Sequence, residues 1–184
     1  MAVFLSPFKK QFYYYKSLID KTLIQLTDEE LMYRDSESVN SIAIILNHLV
    51  GNMRSRWTNF RVEDGEKEWR KRDAEFEASF ASIEELKKDW EAVWEIVAEE
   101  LSQISEKNMK DVVFIRNDGH TILEAFFRQS NHLAYHTGQI LHQAKLIKKE
   151  SFSSLSIPKG ASKDFNKNKF STEKGKRHFT DDFK

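Results

Sequence analysis

The sequence predicts an all-α protein, an up-and-down four-helix bundle with a short irregular or hairpin segment before the last helix. Three observations predict this fold. Four long segments carry apolar residues at helical spacing, capping-box patterns precede several helical segments, and the 184 residues include only two prolines and six glycines. Because each apolar stripe has to be covered, four helices that pack on one another are the simplest arrangement.

The first two long helices are predicted at residues 4–26 and 41–60. In the first, aromatic and aliphatic residues recur every three or four positions, as a buried helical face requires. The second begins after Asn40 or Ser41, either of which can cap it. The charged connection that follows, residues 61–81, contains Trp69 and Phe76. It is either a solvated loop with two aromatic anchors or a lid that borders a site.

The third and fourth long helices are predicted at residues 82–105 and 121–148. Ser82 with Glu85 and Thr121 with Glu124 have capping-box spacing. Between the two helices, an apolar run at 112–115 followed by Asn117, Asp118 and Gly119 resembles half a β-hairpin. Residues 1–150 are therefore expected to form the bundle. Residues 151–184 form a C-terminal extension, whose first half is expected to pack on the bundle and whose last dozen residues are expected to be mobile.

The charge and composition exclude several classes of function. Lys and Arg together number 29, as do Asp and Glu, so the formal net charge is zero. A nucleic-acid partner is therefore not expected, because such proteins carry a basic excess. The absence of cysteine excludes disulfides, thiolate ligands and a cysteine nucleophile. No signal-peptide pattern or membrane-length apolar run is found, so a cytoplasmic location without membrane association is expected.

Two histidines four residues apart, His132 and His136, project from one face of the predicted fourth helix and can hold one metal ion. The alternative is a pair of packing residues. Gln129 and Gln139, three residues before and after the pair, either support the site or face water. His48, at the edge of the buried face of the second helix, is either a third ligand or a hydrogen-bonded core residue. Asn52, one turn later, can support His48.

Two motifs in this chain resemble the DinB-like, or YfiT-like, superfamily of bacterial proteins. They are SIAIILNHLVGN in the second helix and HLAYHTGQ in the fourth, and the resemblance covers most of residues 1–150. The segments NMRSRWTNFRVEDGEKEWRKRDAEF, FIRNDGHTILEAFFRQSNHLAYHTGQI and LSIPKGASKDFN are similar to an uncharacterised bacterial family within that superfamily. The resemblance implies a four-helix bundle with a three-histidine metal site, whose ligands would be His48, His132 and His136.

Three protein ligands leave at least one position open for water or substrate. The metal is expected to be Zn, Ni or Fe, among which an imidazole site does not discriminate by affinity alone. The pair lacks the glutamate of HExxH, and no general base is assigned; Tyr135, Asp73, Glu75 and Glu124 are the candidates. Catalytic residues are thus unknown.

Two functions remain open for such a chain. The first is a metal-dependent enzyme acting on a small molecule, of the thiol S-transferase or hydrolase type that the resemblance implies, with a low-molecular-weight thiol among its possible substrates. The alternative is a non-catalytic metal-containing binding or stress-response module. The resemblance and the abundant aromatic residues also favour a homodimer.

Overall fold

Helices account for most of residues 5–183, the part of the chain that the computed structural model describes. The elements are α1 (Leu5–Leu23), α2 (Asp28–Met32), α3 (Ile42–Trp57), α4 (Ile83–Gln103), β1 (Val112–Ile115), β2 (Asp118–Thr121), α5 (Ile122–Lys148) and α6 (Ser162–Phe170). The described chain is mostly helical with one small two-stranded sheet, which agrees with the predicted all-α class, and the described ends of the four long helices lie within three residues of the predicted ones. The predicted start of the first helix, Phe4, lies outside the described residues. No helix among residues 5–183 has the length and apolar character that crossing a membrane requires.

Side-chain caps start the helices where the sequence patterns indicate. The Ser41 hydroxyl, rather than Asn40, accepts from the N–H of Ile44 at the start of α3. Ser82 does the same for α4, and Thr121 with Glu124 forms a reciprocal capping box on α5. Each cap pairs backbone N–H groups that a helix leaves without partners in its first turn.

An aromatic cluster joins three of the long helices. Phe12 of α1 lies edge-on to Trp57 of α3 at 5.8 Å between ring centroids, and Trp57 lies 5.3 Å from Phe126 of α5. All three side chains are buried. On α4, the buried Trp90 donates its indole N–H to Asp20 of α1 at 2.8 Å. These contacts fix α1 against α4 and α5, while α3 packs on the same two helices.

The predicted hairpin forms, but its turn is displaced from the predicted position. Val112 pairs with Thr121 and Ile115 with Asp118 in antiparallel register, so Asp118 and Gly119 belong to β2. The turn residues are Arg116 and Asn117, with φ of 58° and 63°. Both backbone N–H groups donate to the carboxylate of Asp64 at 2.8 Å, which supports this left-handed conformation and ties the hairpin to the 61–81 connection.

The C-terminal extension follows α5 and returns to α1. Phe152 packs against the core, and Ser153 is hydrogen-bonded with Gln25. Near the end, a 3₁₀ turn at Phe179–Asp182 contacts α1, where Lys10 Nζ lies 2.9 Å from the Asp181 carboxylate. Mobility of the last dozen residues stays a prediction, and Lys184 lies outside the described residues.

Candidate metal centre

The fold brings His48 of α3 together with His132 and His136 of α5. The Nε2 atom of His132 lies 3.1 Å from Nε2 of His48 and 3.1 Å from Nε2 of His136. His48 and His136 are buried, and His132 is half-buried. Two separate helices therefore supply one compact group of three imidazoles, as the sequence predicted.

Two of the three rings have a fixed orientation. His48 Nδ1 lies 2.8 Å from a carboxylate oxygen of Glu75, and His136 Nδ1 lies 2.7 Å from the amide oxygen of Gln139. Because these oxygens accept hydrogen bonds, each Nδ1 carries the hydrogen, and in its neutral form each ring presents a lone pair at Nε2. Both lone pairs face Nε2 of His132.

Hydrogen bonds between neutral rings cannot satisfy all three of the facing Nε2 atoms. One hydrogen on His132 Nε2 can be donated to His48 or to His136, but not fully to both. A divalent cation would satisfy all three nitrogens at once. Metal–nitrogen bonds of about 2.0–2.1 Å at tetrahedral angles separate neighbouring nitrogens by about 3.3–3.4 Å. The observed 3.1 Å separations are close to that spacing, so the three residues fit a metal ion.

The surroundings of the cluster keep two of its rings neutral. Burial, reinforced by His136 and His48, lowers the pKa of His132 to about 3. Burial also lowers the pKa of His136, although the hydrogen bond to Gln139 opposes this shift. Both rings are thus unprotonated at neutral pH, which is the state in which imidazole binds metal.

Glu75, which orients His48, is itself held by the 61–81 connection. It lies in a 3₁₀ turn at Asp73–Phe76, and Arg70 donates to its two oxygens at 2.8 and 3.0 Å. Asn47 of α3 donates to the Glu75 carbonyl. Burial would raise the pKa of Glu75, but the bonds to His48 and Arg70 outweigh it and lower that pKa. The carboxylate is therefore ionised and serves as an acceptor for His48.

The predicted proximity of the 61–81 connection to the histidines is confirmed by Phe76, whose ring stacks on His48 at 4.6 Å between centroids. The guanidinium carbon of Arg72 lies over the Phe76 ring, 5.2 Å from its centroid. Trp69, in contrast, is 54% exposed. Of the two predicted aromatic anchors, Phe76 is thus the one that contacts the site.

One comparison assigns the chain to a family. The model of the family described as "Protein of unknown function (DUF1572)" matches residues 1–161. The chain belongs to the DUF1572 family. A search of curated proteins and a search of solved structures give no match. The predicted resemblance to an uncharacterised family is therefore confirmed, while membership of the DinB-like superfamily stays a prediction.

In this DUF1572 protein two of the three histidines line a cavity of about 190 Å³, and its lining includes His48, His132, Asn52 and Gln129. Asn52 Oδ1 and Gln129 Nε2 are buried and have no hydrogen-bond partner among residues 5–183. The structure thus places these two predicted supporting residues beside the cavity. Gln139, the third, contacts His136 directly and donates to the Tyr135 hydroxyl at 3.2 Å.

The candidates for a general base are dispersed in the structure. Asp73 is exposed, and Glu124 accepts from Thr121 at the start of α5. Tyr135 accepts from Gln139, and Glu75 is engaged by His48 and Arg70. None of these four residues lines the cavity.

Proposed function

We propose that the chain binds one divalent metal ion, Zn, Ni or Fe, through the Nε2 atoms of His48, His132 and His136, and that it is an enzyme acting on a small molecule there. The observation that carries this proposal is the convergence of two oriented Nε2 lone pairs on a third imidazole, 3.1 Å from each. We also propose that the four long helices form an up-and-down bundle of the DinB-like type. The contacts of α1 and of α3 with both α4 and α5 support it.

The ligand number favours a catalytic over a structural site. Structural zinc sites are usually closed by four protein ligands, whereas catalytic sites use three and leave a position for a reactant. When bound, the metal would supply Lewis acidity, which lowers the pKa of water or of a thiol and polarises a carbonyl. Glu75 and Gln139 hold two rings in the orientation that this requires.

The cavity lining favours a thiol transferase over a hydrolase. Among the described residues that line it, none is Asp or Glu, so no carboxylate is available there to remove a proton from a weak nucleophile. A thiol, with an ordinary pKa of about 8.5, loses its proton far more readily than water does. We therefore favour a low-molecular-weight thiol as the nucleophile and an electrophilic small molecule as its partner.

Metal content and turnover test the proposal together. Purified protein is dialysed against buffer, its metal per chain is measured by elemental analysis, and it is screened for conjugation of small thiols to electrophiles. We expect one metal per chain in the wild type, little in His132→Ala and His136→Ala because two ligands chelate poorly, and turnover that follows metal content.

His142→Ala is the matched control, because His142 lies on α5 outside the histidine group. Full metal content in His132→Ala and His136→Ala would overturn the metal site. Metal binding without turnover of any thiol or hydrolase substrate would favour the non-catalytic binding or stress-response module instead.

A further inference from the structure

The cavity beside the histidines is strongly basic. Five guanidinium groups line it, and the described lining includes no acidic residue. They come from α3, the 61–81 connection, the hairpin turn and α5: Arg56, Arg70, Arg72, Arg116 and Arg128. A chain with no net charge thus concentrates positive charge at a cavity that two of its three grouped histidines line.

Nearby carboxylates neutralise only part of this charge. Arg70 is paired with Glu75 and Glu66, and Arg116 lies 3.4 Å from Glu66. Two buried or half-buried carboxylates therefore face five guanidinium groups. The nearest carboxylate to Arg72 is the exposed Asp73, at 3.6 Å. Counting all three carboxylates against the five arginines leaves two more positive than negative charges around the cavity.

Arg56 is the most informative member of the group. Its side chain is buried, with only 8% of the residue exposed, and Nε and Nη1 have no hydrogen-bond partner among residues 5–183. Burial, followed by repulsion from Arg128 and Arg70, lowers the pKa of Arg56 to about 10, which leaves it charged at neutral pH. A buried unpaired charge is costly, so a ligand that supplies the opposite charge would be bound strongly there.

The chemistry of the group identifies the kind of ligand. Guanidinium groups bind carboxylate and phosphate oxygens through pairs of parallel N–H bonds. The unpartnered amide Nε2 of Gln129 adds another donor. A cavity of about 190 Å³ is smaller than pockets for drug-sized ligands, which are about 300–1,000 Å³. Its size suits one polar group of a substrate rather than a whole large molecule.

We propose that this arginine cavity binds a doubly charged oxyanionic group of the substrate, either a phosphoryl group or a pair of carboxylates, and so places the reacting part of the substrate at the histidines. The substrate class is therefore a small phosphate ester or dicarboxylic acid. This inference rests on the proposed function for its catalytic meaning, although anion binding by the arginines does not itself need metal.

The test uses metal-free protein, in which an anion cannot bind to the metal. Inorganic phosphate and malonate are titrated calorimetrically, with acetate as a monoanion for comparison. We expect phosphate, malonate or both to bind more tightly than acetate, and which of the two is preferred distinguishes the phosphoryl from the dicarboxylate group. Arg56→Gln should lower the affinity for the preferred anion by about ten- to hundredfold, as expected for loss of a charged hydrogen-bonding partner.

Arg54→Gln is the control, because Arg54 lies on the same helix but bonds to Asp89 at 2.6 Å, away from the cavity. Arg128→Gln repeats the test at an exposed position, where folding is not at risk. Equal affinities in wild type, Arg56→Gln and Arg128→Gln, or no anion binding by the wild type, would overturn the proposal.

A melting measurement without added anion separates a ligand-binding role from a structural one. Arg56→Gln removes an unpaired buried charge, so without anion the variant should melt at a temperature no lower than that of the wild type. When phosphate or malonate is then added, it should raise the melting temperature of the wild type more than that of the variant. A lower melting temperature for the anion-free variant would contradict the anion-binding role of Arg56.

Metal uptake without anion binding would overturn this inference alone, and anion binding without metal uptake would overturn the proposed function alone.

Discussion

The carboxylate of Glu75 lies against the backbone of Gly51, so closely that a Cβ atom at position 51 would be 2.6 Å from Glu75 Cδ. Gly51 follows His48 by three residues on α3, and its lack of a side chain lets the carboxylate reach the imidazole. We expect Gly51→Ala to displace Glu75 and to weaken metal binding by about tenfold, as changes to groups that orient a ligand do. Competition with a chromophoric chelator measures this affinity.

Gly138→Ala is the control for that variant. Gly138 also lies within a long helix, but a Cβ atom there would meet no atom within 4 Å. Alanine should stabilise α5 by about 0.5–1 kcal/mol through its higher helix propensity and leave metal affinity unchanged. Equal metal affinities for the two variants would contradict the role assigned to the Gly51 contact.

Removal of the amide that orients His136 should weaken the site without abolishing it. Gln139→Ala deletes the 2.7 Å bond to His136 Nδ1 but keeps all three ring nitrogens. We expect metal affinity to fall by about 10–100-fold, less than in His136→Ala. Gln143→Ala, one turn further along α5, deletes a bond to the Asn40 carbonyl, outside the histidine group, and should retain wild-type affinity. A loss in Gln143→Ala as large as that in Gln139→Ala would exclude a specific role for Gln139.

The Asp64 carboxylate should give the protein a pH-dependent part of its stability. Burial raises the pKa of Asp64, but N–H groups of Asn117, Glu66 and Arg116 outweigh it and lower that pKa. Since the folded-state pKa is depressed, this stabilisation is present above the unfolded pKa of about 3.9 and is lost as pH falls through the folded pKa.

Urea unfolding of wild type and Asp64→Asn checks this expectation. At pH 7 the variant should be less stable by about 1–2 kcal/mol, somewhat below the usual range of about 1.5–3 kcal/mol for hydrogen bonds to charged groups, because solvent screens this half-buried carboxylate. As pH falls through the folded-state pKa of Asp64, the two proteins should approach equal stability, because the wild-type carboxyl becomes protonated there. A difference that stays constant across this pH range would show that Asp64 does not act through its charge.

We expect the chain to form a homodimer. Several large apolar side chains on α5 are exposed, among them Tyr135 at 64% and Leu146 at 62%, and such surfaces commonly mark interfaces. Light scattering coupled to size-exclusion chromatography should give twice the mass of one chain, and Leu146→Glu should shift the equilibrium toward monomer. A monomer at every concentration tested would refute this expectation.

Local sequence patterns were sufficient to predict the helices and two of the three histidines. The spacing of apolar residues and the caps at Ser41 and Thr121 depend on interactions within a few residues, so they can be read along the chain. His132 and His136 share a face because they are four residues apart. The position of His48 in its helix left open whether it is a ligand or a core residue, and the family resemblance decided between them, since a single histidine in a helix carries no information about its partner.

Other parts of the site depend on contacts that no local pattern encodes. Glu75 lies 27 residues from His48, inside a charged segment without clear periodicity, and was predicted only as one of four candidate bases. The five arginines come from separate parts of the chain and converge only in the folded structure. Because the chain as a whole has no net charge, its composition gave no indication of this local excess of positive charge.

The sequence distance between the two helices of the histidine group has a consequence for folding. His48 and His132 are 84 residues apart, and the chain contains no cysteine with which to join distant segments covalently. A metal bound as proposed would act as a reversible cross-link that closes this long loop. By the chain-entropy argument used for disulfides, such a closure restricts the unfolded chain by about 4–5 kcal/mol. Chelation would thus lower the free energy of unfolding, and metal supply would set how much of this stabilisation is present.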